Sequence, residues 1–295
     1  MIKKFAQFVL SGRLPAFTVV AGMLALALAF PLASIVSGAT LVCATLYAGL
    51  RNGLILVALS AITLTAICSI LLANPAVGLY ATLAQLGPSL ILAVIFRRTR
   101  SLDITLQAAA LLGALVFVLI NTVLPDNALF WQDALGQMLQ PFFQASNMTP
   151  ADIENNVATI SKYMTGVMIM SVVLVHSSLI FAGHWLNCLA QDSNQYKTDF
   201  SQVRLGKVLA LLVIVLTTAA LLLQSSYLAQ LSGIMAVLFC IPGMTQIHKL
   251  CASMTNSKLW LIISYLLVIF VPQVIVIIIL LGLFGTFFSL RNKIN

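Results

Sequence analysis

Acidic side chains are scarce: Asp and Glu number 7 in 295 residues, against 15 Lys and Arg, and charged residues make up only 7% of the chain. An ordinary soluble domain carries about 25% charged residues and covers its surface with them, so a water-soluble globule is excluded. None of the acidic residues falls in the middle of an apolar stretch; Asp103, Asp126, Asp133, Asp152, Glu154, Asp192 and Asp199 all belong to loops or segment ends. Ion-coupled transporters commonly hold an intramembrane carboxylate for the proton or sodium ion, and its absence weakens a pump or antiporter reading. It also leaves no paired carboxylates for general acid and base work, so no enzymatic activity is expected.

Chemistry-bearing motifs are equally sparse. The cysteines are 5, an odd number (Cys43, Cys68, Cys188, Cys240, Cys251), they sit in or beside apolar stretches and never form Cys-x-x-Cys. Neither a disulfide framework nor a thiolate metal site is therefore expected, and they read as small packing residues. The chain has no Gly-x-x-x-x-Gly-Lys-Ser/Thr loop, no His-Glu-x-x-His and no Gly-x-Ser-x-Gly, so no cofactor is expected. Nothing points to nucleic acid. If transport here uses ATP, the ATPase belongs to another chain.

What the chain has instead is hydrophobic residues, 61% of the total. Backbone in hydrocarbon must satisfy its own hydrogen bonds, so long apolar runs are helices of roughly 20 residues each. They fall near 15–30, 32–50, 53–73, 77–96, 104–124, 164–190, 205–224, 227–248 and 259–289. The expectation is an all-α integral membrane protein, a polytopic bundle of about 8–10 transmembrane segments forming one domain over 1–295. Pro31 ends the first run, so 15–50 reads as a tight hairpin or a bent pair. Lys3, Lys4 and Arg13 before an apolar run give the N-terminus the look of a signal peptide, but the pattern continues directly into a second segment, which favours an uncleaved first helix. The last run is long and interrupted by Pro272 and Gln273, so it reads as one crossing or as two short limbs that return the tail.

Short cytoplasmic loops carry Lys and Arg. With the N-terminus inside, Arg51, Arg97, Arg98, Arg100, Lys197, Arg204, Lys207, Lys249 and Lys258 all fall on the cytoplasmic side, while Asp126, Asp133, Asp152 and Glu154 fall outside with Lys162. A multi-pass membrane protein with its N-terminus in the cytoplasm is implied, with the side of Arg291 and Lys293 open. The run Arg97-Arg98-Thr99-Arg100 reads first as a topology signal and lipid headgroup anchor.

The external segment 126–163 has its own pattern. Phe130, Ala134, Leu135, Met138, Leu139, Phe142 and Phe143 recur at helical spacing beside Trp131, describing an amphipathic helix that lies in the interface. Thr149-Pro150-Ala151-Asp152 then reads as a helix start, with a capping hydroxyl, a first-turn proline and an acid at the positive end of the helix dipole. Ile153, Val157, Ile160, Met164 and Val167 continue an apolar stripe, so the next membrane helix starts outside the bilayer and runs to about Ala190.

Several local patterns suggest a family. The turn Tyr47-Ala48-Gly49-Leu50-Arg51-Asn52-Gly53, the Gly87-Pro88 step followed by Arg97-Arg98-Thr99-Arg100-Ser101, the segment Leu238-Phe239-Cys240-Ile241-Pro242-Gly243 leading to His248, and the ending Leu281-Gly282-Leu283-Phe284-Gly285-Thr286-Phe287-Phe288-Ser289-Leu290-Arg291 resemble the YybS-like family of bacterial membrane proteins. The resemblance runs in order over about residues 12–292. Gly285 stands where the family usually carries an acid, so no role for that carboxylate transfers. The resemblance implies a fold similar to the substrate-binding S components of energy-coupling-factor transporters, and more remotely to MreD-type proteins of the cell-shape machinery. S components dock on a membrane coupling subunit through an Ala-x-x-x-Ala stripe. Ala21, Ala25 and Ala29 provide a similar spacing here, which reads either as that docking face or as ordinary helix packing.

The polar residues inside apolar runs are Gln85, Asn121, His176, His184, Gln246 and Gln273. A lipid-facing position would not retain them, so most point into the bundle or lie at an interface. Gln85 precedes Gly87-Pro88, where proline frees a backbone carbonyl that a ligand could use. His176 and His184 are about 80° apart around a helix axis, so they form no close metal pair. Gln85, Asn121 and His176 are the candidate solute-contacting residues, each against the plainer reading of a bond between helices. Two functions follow. One is a membrane-embedded solute-binding protein that relies on a separate coupling partner; the other is a scaffold that organises envelope proteins.

Overall fold

The apolar runs form helices throughout. The computed structural model describes residues 1–144, 149–271 and 273–287, and among them there is no strand. In chain order the helices are α1 (Ile2–Leu10), α2 (Arg13–Leu26), α3 (Ala33–Ala48), α4 (Leu50–Leu72), α5 (Pro75–Thr99), α6 (Leu102–Val123), α7 (Asn127–Gln144), α8 (Pro150–Ala190), α9 (Gln195–Ser201), α10 (Lys207–Leu222), α11 (Ser226–Ala236), α12 (Cys240–Ala252), α13 (Ser257–Phe270) and α14 (Gln273–Phe287). A short 3₁₀ turn, Val237–Phe239, joins α11 to α12. The chain is an all-α polytopic membrane protein. Among the described residues 5 helices are long and apolar enough to cross a membrane, or 7 when each of two bent pairs is taken as one span. α3 and α10 are shorter, 16 residues each, which at 1.5 Å per residue covers roughly 24 Å of a ~30 Å hydrocarbon core.

Helix boundaries follow local chemistry. Asn74 caps α5 by accepting from the Ala76 amide, with Pro75 at the first helical position. Thr149 opens α8 as its sequence suggests, accepting the Asp152 amide at 3.2 Å and donating its hydroxyl to the Asp152 carboxylate. The first apolar run stops at Leu26, earlier than expected, and residues 27–29 form turns ahead of Pro31. α2 and α3 pack together as the hairpin reading of 15–50 requires, with Ser37 donating to the Val20 carbonyl. A further bend of 116° lies upstream, between α1 and α2. The final run divides into α13 and α14, bent by 117°, while Pro272, Arg291 and Lys293 lie outside the described residues. The Gly87-Pro88 step does not break its helix: α5 continues through Pro88. Proline removes one donor from the ladder and leaves the helix intact around it.

The sequence reads as one domain, whereas contacts group the chain into two compact units, each discontinuous in sequence. Unit 1 comprises residues 1–108 and 175–203. Its central helix is α3, buried continuously from Ser37 to Leu46 although Ser37, Thr40 and Thr45 bring hydroxyls into it. Helices reach α3 and one another through small residues, as expected where lipid supplies no hydrophobic drive and close packing must hold the bundle. A Cβ at Gly183 would stand 2.8 Å from the Ala39 carbonyl oxygen, and one at Gly78 would stand 2.5 Å from that of Leu64. At the end of α3 the chain turns at Gly49 (φ 93°), and Arg97 donates to the Thr45 carbonyl at 3.0 Å and to that of Leu46. Both carbonyls belong to the last turn of α3, where the Thr45 carbonyl also accepts the Gly49 amide proton at 2.9 Å, so the guanidinium adds a side-chain cap to that helix end.

Unit 2 comprises residues 109–174 and 204–295. α12 and α14 cross at glycines: a Cβ at Gly243 would run into the Ile278 carbonyl and one at Gly282 into that of Phe239. One turn further, Gln246 donates to the Leu281 carbonyl at 3.0 Å, and its carboxamide occupies the space that a side chain at position 285 would need. Two of the sequence motifs that carry the family resemblance thus meet in one helix crossing. The buried face of α8 in this unit differs from the expected stripe. Val157, Ser161, Thr165, Ile169 and Val173 are buried, while Ile160 and Val167 are exposed. In a bilayer the large apolar side chains face lipid without penalty, and small or polar ones turn inward where they find partners.

Candidate solute-binding cavity

One cavity belongs to unit 2, where the end of α6, the start of α7 and the middle of α8 come together. Its volume is about 370 Å³, within the range that small-molecule sites occupy. Most of the wall is apolar: Ile120, Val123, Leu124, Phe130, Met168 and Ile169. Val123, Leu124 and Phe130 are well exposed, so the cavity opens to the side.

One arc of the wall is polar, and its groups are bonded in sequence. The Trp131 indole N–H donates to the Thr165 hydroxyl at 2.8 Å. That hydroxyl donates to Asn127 Oδ1 at 3.1 Å. Asn127 Nδ2 in turn donates to Asn121 Oδ1 at 3.1 Å and to the Leu124 carbonyl, and Asn121 Nδ2 donates to the Phe117 carbonyl at 2.8 Å. Thr165 is buried, and with one proton engaged and one bond accepted its oxygen keeps a second lone pair for a ligand donor. Asp126 is the one charged residue among the described wall residues, and it is exposed. The arrangement suits a neutral or cationic organic solute, with an apolar body against α6 and α8 and a donor group toward Thr165 and Asp126.

The chain of bonds also fixes α7, the amphipathic helix within 126–163. Trp131 and Asn127 both lie in its first turns and both tie to α8 or α6. Leu129, Phe130 and Met138 on α7 are exposed. The side chains of Phe142 and Phe143 lie outside the described residues.

The three solute candidates divide between the two units. Asn121 belongs to unit 2, where it is bonded to the wall residue Asn127 but is not itself a wall residue. Gln85 and His176 belong to unit 1, where Ser89 connects them: its hydroxyl lies 2.8 Å from His176 Nδ1 and 3.3 Å from the Gln85 carbonyl. Gln85 Nε2 donates to the Ser34 carbonyl at 3.2 Å. These bonds join α3, α5 and α8, which is the plainer of the two readings of Gln85 and His176. His184 pairs through Nε2 with Asp199 at 2.9 Å and has Cys188 one turn away. Among the described residues no three His, Cys, Asp or Glu side chains converge as metal ligands would.

The alanine stripe is interrupted. Ala21 is buried and Ala25 packs against the apolar core of unit 1, but Ala29 is exposed in the turn beyond the end of α2. Three alanines share one face only while the helix lasts, and α2 ends three residues too soon.

Sequence reading found Asn121 and noted Trp131 but missed Asn127 and Thr165. Threonine inside an apolar run usually bonds back to its own helix, so Thr165 carried no signal distinguishing it from Thr217 or Thr218, which do so. No family model, no curated protein and no solved structure matches this chain, and the site is therefore read from the chemistry of its own residues.

Proposed function

We propose that the protein is a membrane-embedded solute-binding protein, similar in role to a transporter S component, that receives a small amphipathic molecule in the unit 2 cavity. The observation that carries this reading is the bonded arc Trp131–Thr165–Asn127, held in turn by Asn121, on one wall of a mostly apolar cavity. Such a wall orients a ligand by a few fixed polar groups while apolar surface supplies affinity. The kinship suggested by the YybS-like motifs fits this role. So does the charge asymmetry of the loops, which supports an orientation with the N-terminus in the cytoplasm and the α7 end outside. The chain carries no phosphate-binding loop, so the proposal includes a separate coupling subunit with its own ATPase.

Native mass spectrometry of the detergent-purified protein tests it by reporting retained solute and retained partners together. A bound organic molecule is expected. Thr165→Val, which keeps shape and removes the hydroxyl, should weaken rebinding of that molecule about two- to tenfold, the equivalent of one neutral hydrogen bond, and Asn121→Ala should act in the same direction. Gln85→Ala, in unit 1, should leave rebinding unchanged. A stable protein complex without any solute, or binding indifferent to Thr165, would overturn the solute reading and favour a scaffold.

A further inference from the structure

A second cavity, of about 100 Å³, lies wholly within unit 1 at the basic end of α5. It differs in kind from the first. Its wall is mainly polar, and two of its residues are the arginines Arg97 and Arg100. Arg97 is half-buried, and one of its terminal nitrogens is fixed by the Thr45 and Leu46 carbonyls at the end of α3. Gly49 makes room for it: a Cβ there would lie 3.4 Å from the guanidinium carbon and from Nη2. One nitrogen is thus used to hold the group still, and the remaining N–H donors of a rigid fork are left over.

The other walls complete a donor set. Asn187 Oδ1 accepts from Gln191 Nε2 at 2.7 Å, which leaves the Asn187 amide nitrogen to donate. Of the nearby carboxylates, Asp199 is bonded to His184, and Asp192, between the wall residues Gln191 and Ser193, is paired with Lys3. Two guanidinium charges therefore border a small polar cavity, and both of these acids are engaged with other cations or rings.

We propose that this cavity binds a tetrahedral oxyanion of the phosphate class, held by Arg97 and Arg100 with Asn187 donating from α8. Guanidinium forks match phosphate oxygens in pairs, and such charge-assisted bonds are the strong ones. The volume corresponds to roughly three waters at about 30 Å³ each, enough for one phosphate group and too small for a nucleoside. The phosphate belongs either to the headgroup of an anionic lipid or to a soluble ion. This goes beyond anchoring by surface arginines, because Arg97 is fixed inside the fold by backbone carbonyls. It is independent of the unit 2 cavity.

The test is thermal unfolding of the full chain. In detergent, inorganic phosphate is titrated against chloride at equal ionic strength. In parallel, nanodiscs of phosphatidylcholine alone are compared with nanodiscs containing phosphatidic acid. Stabilisation by phosphate beyond chloride assigns the site to a soluble ion, and stabilisation by phosphatidic acid alone assigns it to a lipid headgroup. In either case Arg100→Gln, which leaves the cap on α3 untouched, should weaken the effect about tenfold, the loss of one charge-assisted bond. Arg97→Lys keeps the charge and removes the fork, and should weaken it similarly. Thr165→Val should not change it. No stabilisation in either arm, stabilisation equal to that by chloride, or an effect unchanged in both arginine variants would overturn the proposal.

Discussion

The carboxamide of Gln230 is bonded to both ends of one turn of α8: Oε1 accepts the Gly166 amide proton at 2.9 Å, and Nε2 donates to the Lys162 carbonyl at 2.9 Å. Lys162 and Gly166 are the i and i+4 partners that an α-helix would pair with each other. A buried side chain of α11 therefore reaches into the ladder of α8, where Thr165, the next residue, faces the cavity. Position 166 must be glycine for this approach, since a Cβ there would lie 2.7 Å from Gln230 Cβ and Cγ.

Two variants should expose that dependence. Gln230→Leu removes the bridge and should cost about 1–2 kcal/mol, moderated because Lys162 and Gly166 are able to pair once it is gone. Gly166→Ala should cost about 1–3 kcal/mol by overpacking. Both changes disturb one contact, so the double variant should lose less than the two single losses added together. Unfolding in detergent measures all three. Strict additivity would show that Gln230 and Gly166 act separately.

The crossing of α12 and α14 gives a harsher case. The atom that a Cβ at Gly282 would meet is the Phe239 backbone carbonyl, which has no rotamer to change. Gly282→Ala should separate the two helices and lower stability by about 1–3 kcal/mol, and with them displaced Gln246 should lose its bond to the Leu281 carbonyl. Gly136→Ala is the matched control, because nothing lies near its added Cβ, and alanine there should be neutral or stabilising by up to about 1 kcal/mol. Equal melting temperatures for the two variants would contradict the close crossing.

Helix existence was legible because 61% hydrophobic content leaves lipid as the only solvent. Helix orientation was not. In water, an apolar stripe marks the buried face; in a bilayer both faces are apolar, and periodicity loses its direction. That is why the apolar stripe through Ile160 and Val167 does not mark the buried face, where Ser161 and Thr165 lie instead. The small-residue stripe failed for a different reason: spacing shows a shared face only within one helix, and nothing before Pro31 signalled that α2 ends at Leu26. Asn121 was legible as a buried polar group, but its partner Asn127 lies past the turn at Pro125-Asp126 and is joined to it only by the fold. Arg97 read as one of three loop arginines. What distinguishes it is a long-range bond to the end of α3, and no local pattern encodes that.

Orientation in the membrane is the last expectation to test. α8 contains 41 residues, roughly 60 Å of helix, more than the 40–45 Å of a whole bilayer. Its beginning carries Asp152 and Glu154, whereas the linker beyond its end carries Lys197 and Arg204, so the positive-inside rule predicts that the beginning is outside and the linker inside. Single cysteines at Asn155 and Gln202, both exposed, make this measurable with a membrane-impermeant thiol reagent. Four of the native cysteines are buried and Cys240 is partly so, which limits background labelling, and a chain without them serves as the blank. Asn155→Cys should label in intact cells, and Gln202→Cys only after the membrane is opened. The reverse pattern would invert the protein and turn the unit 2 cavity toward the cytoplasm. Equal labelling in intact cells would mean that α8 does not separate the two positions by a membrane.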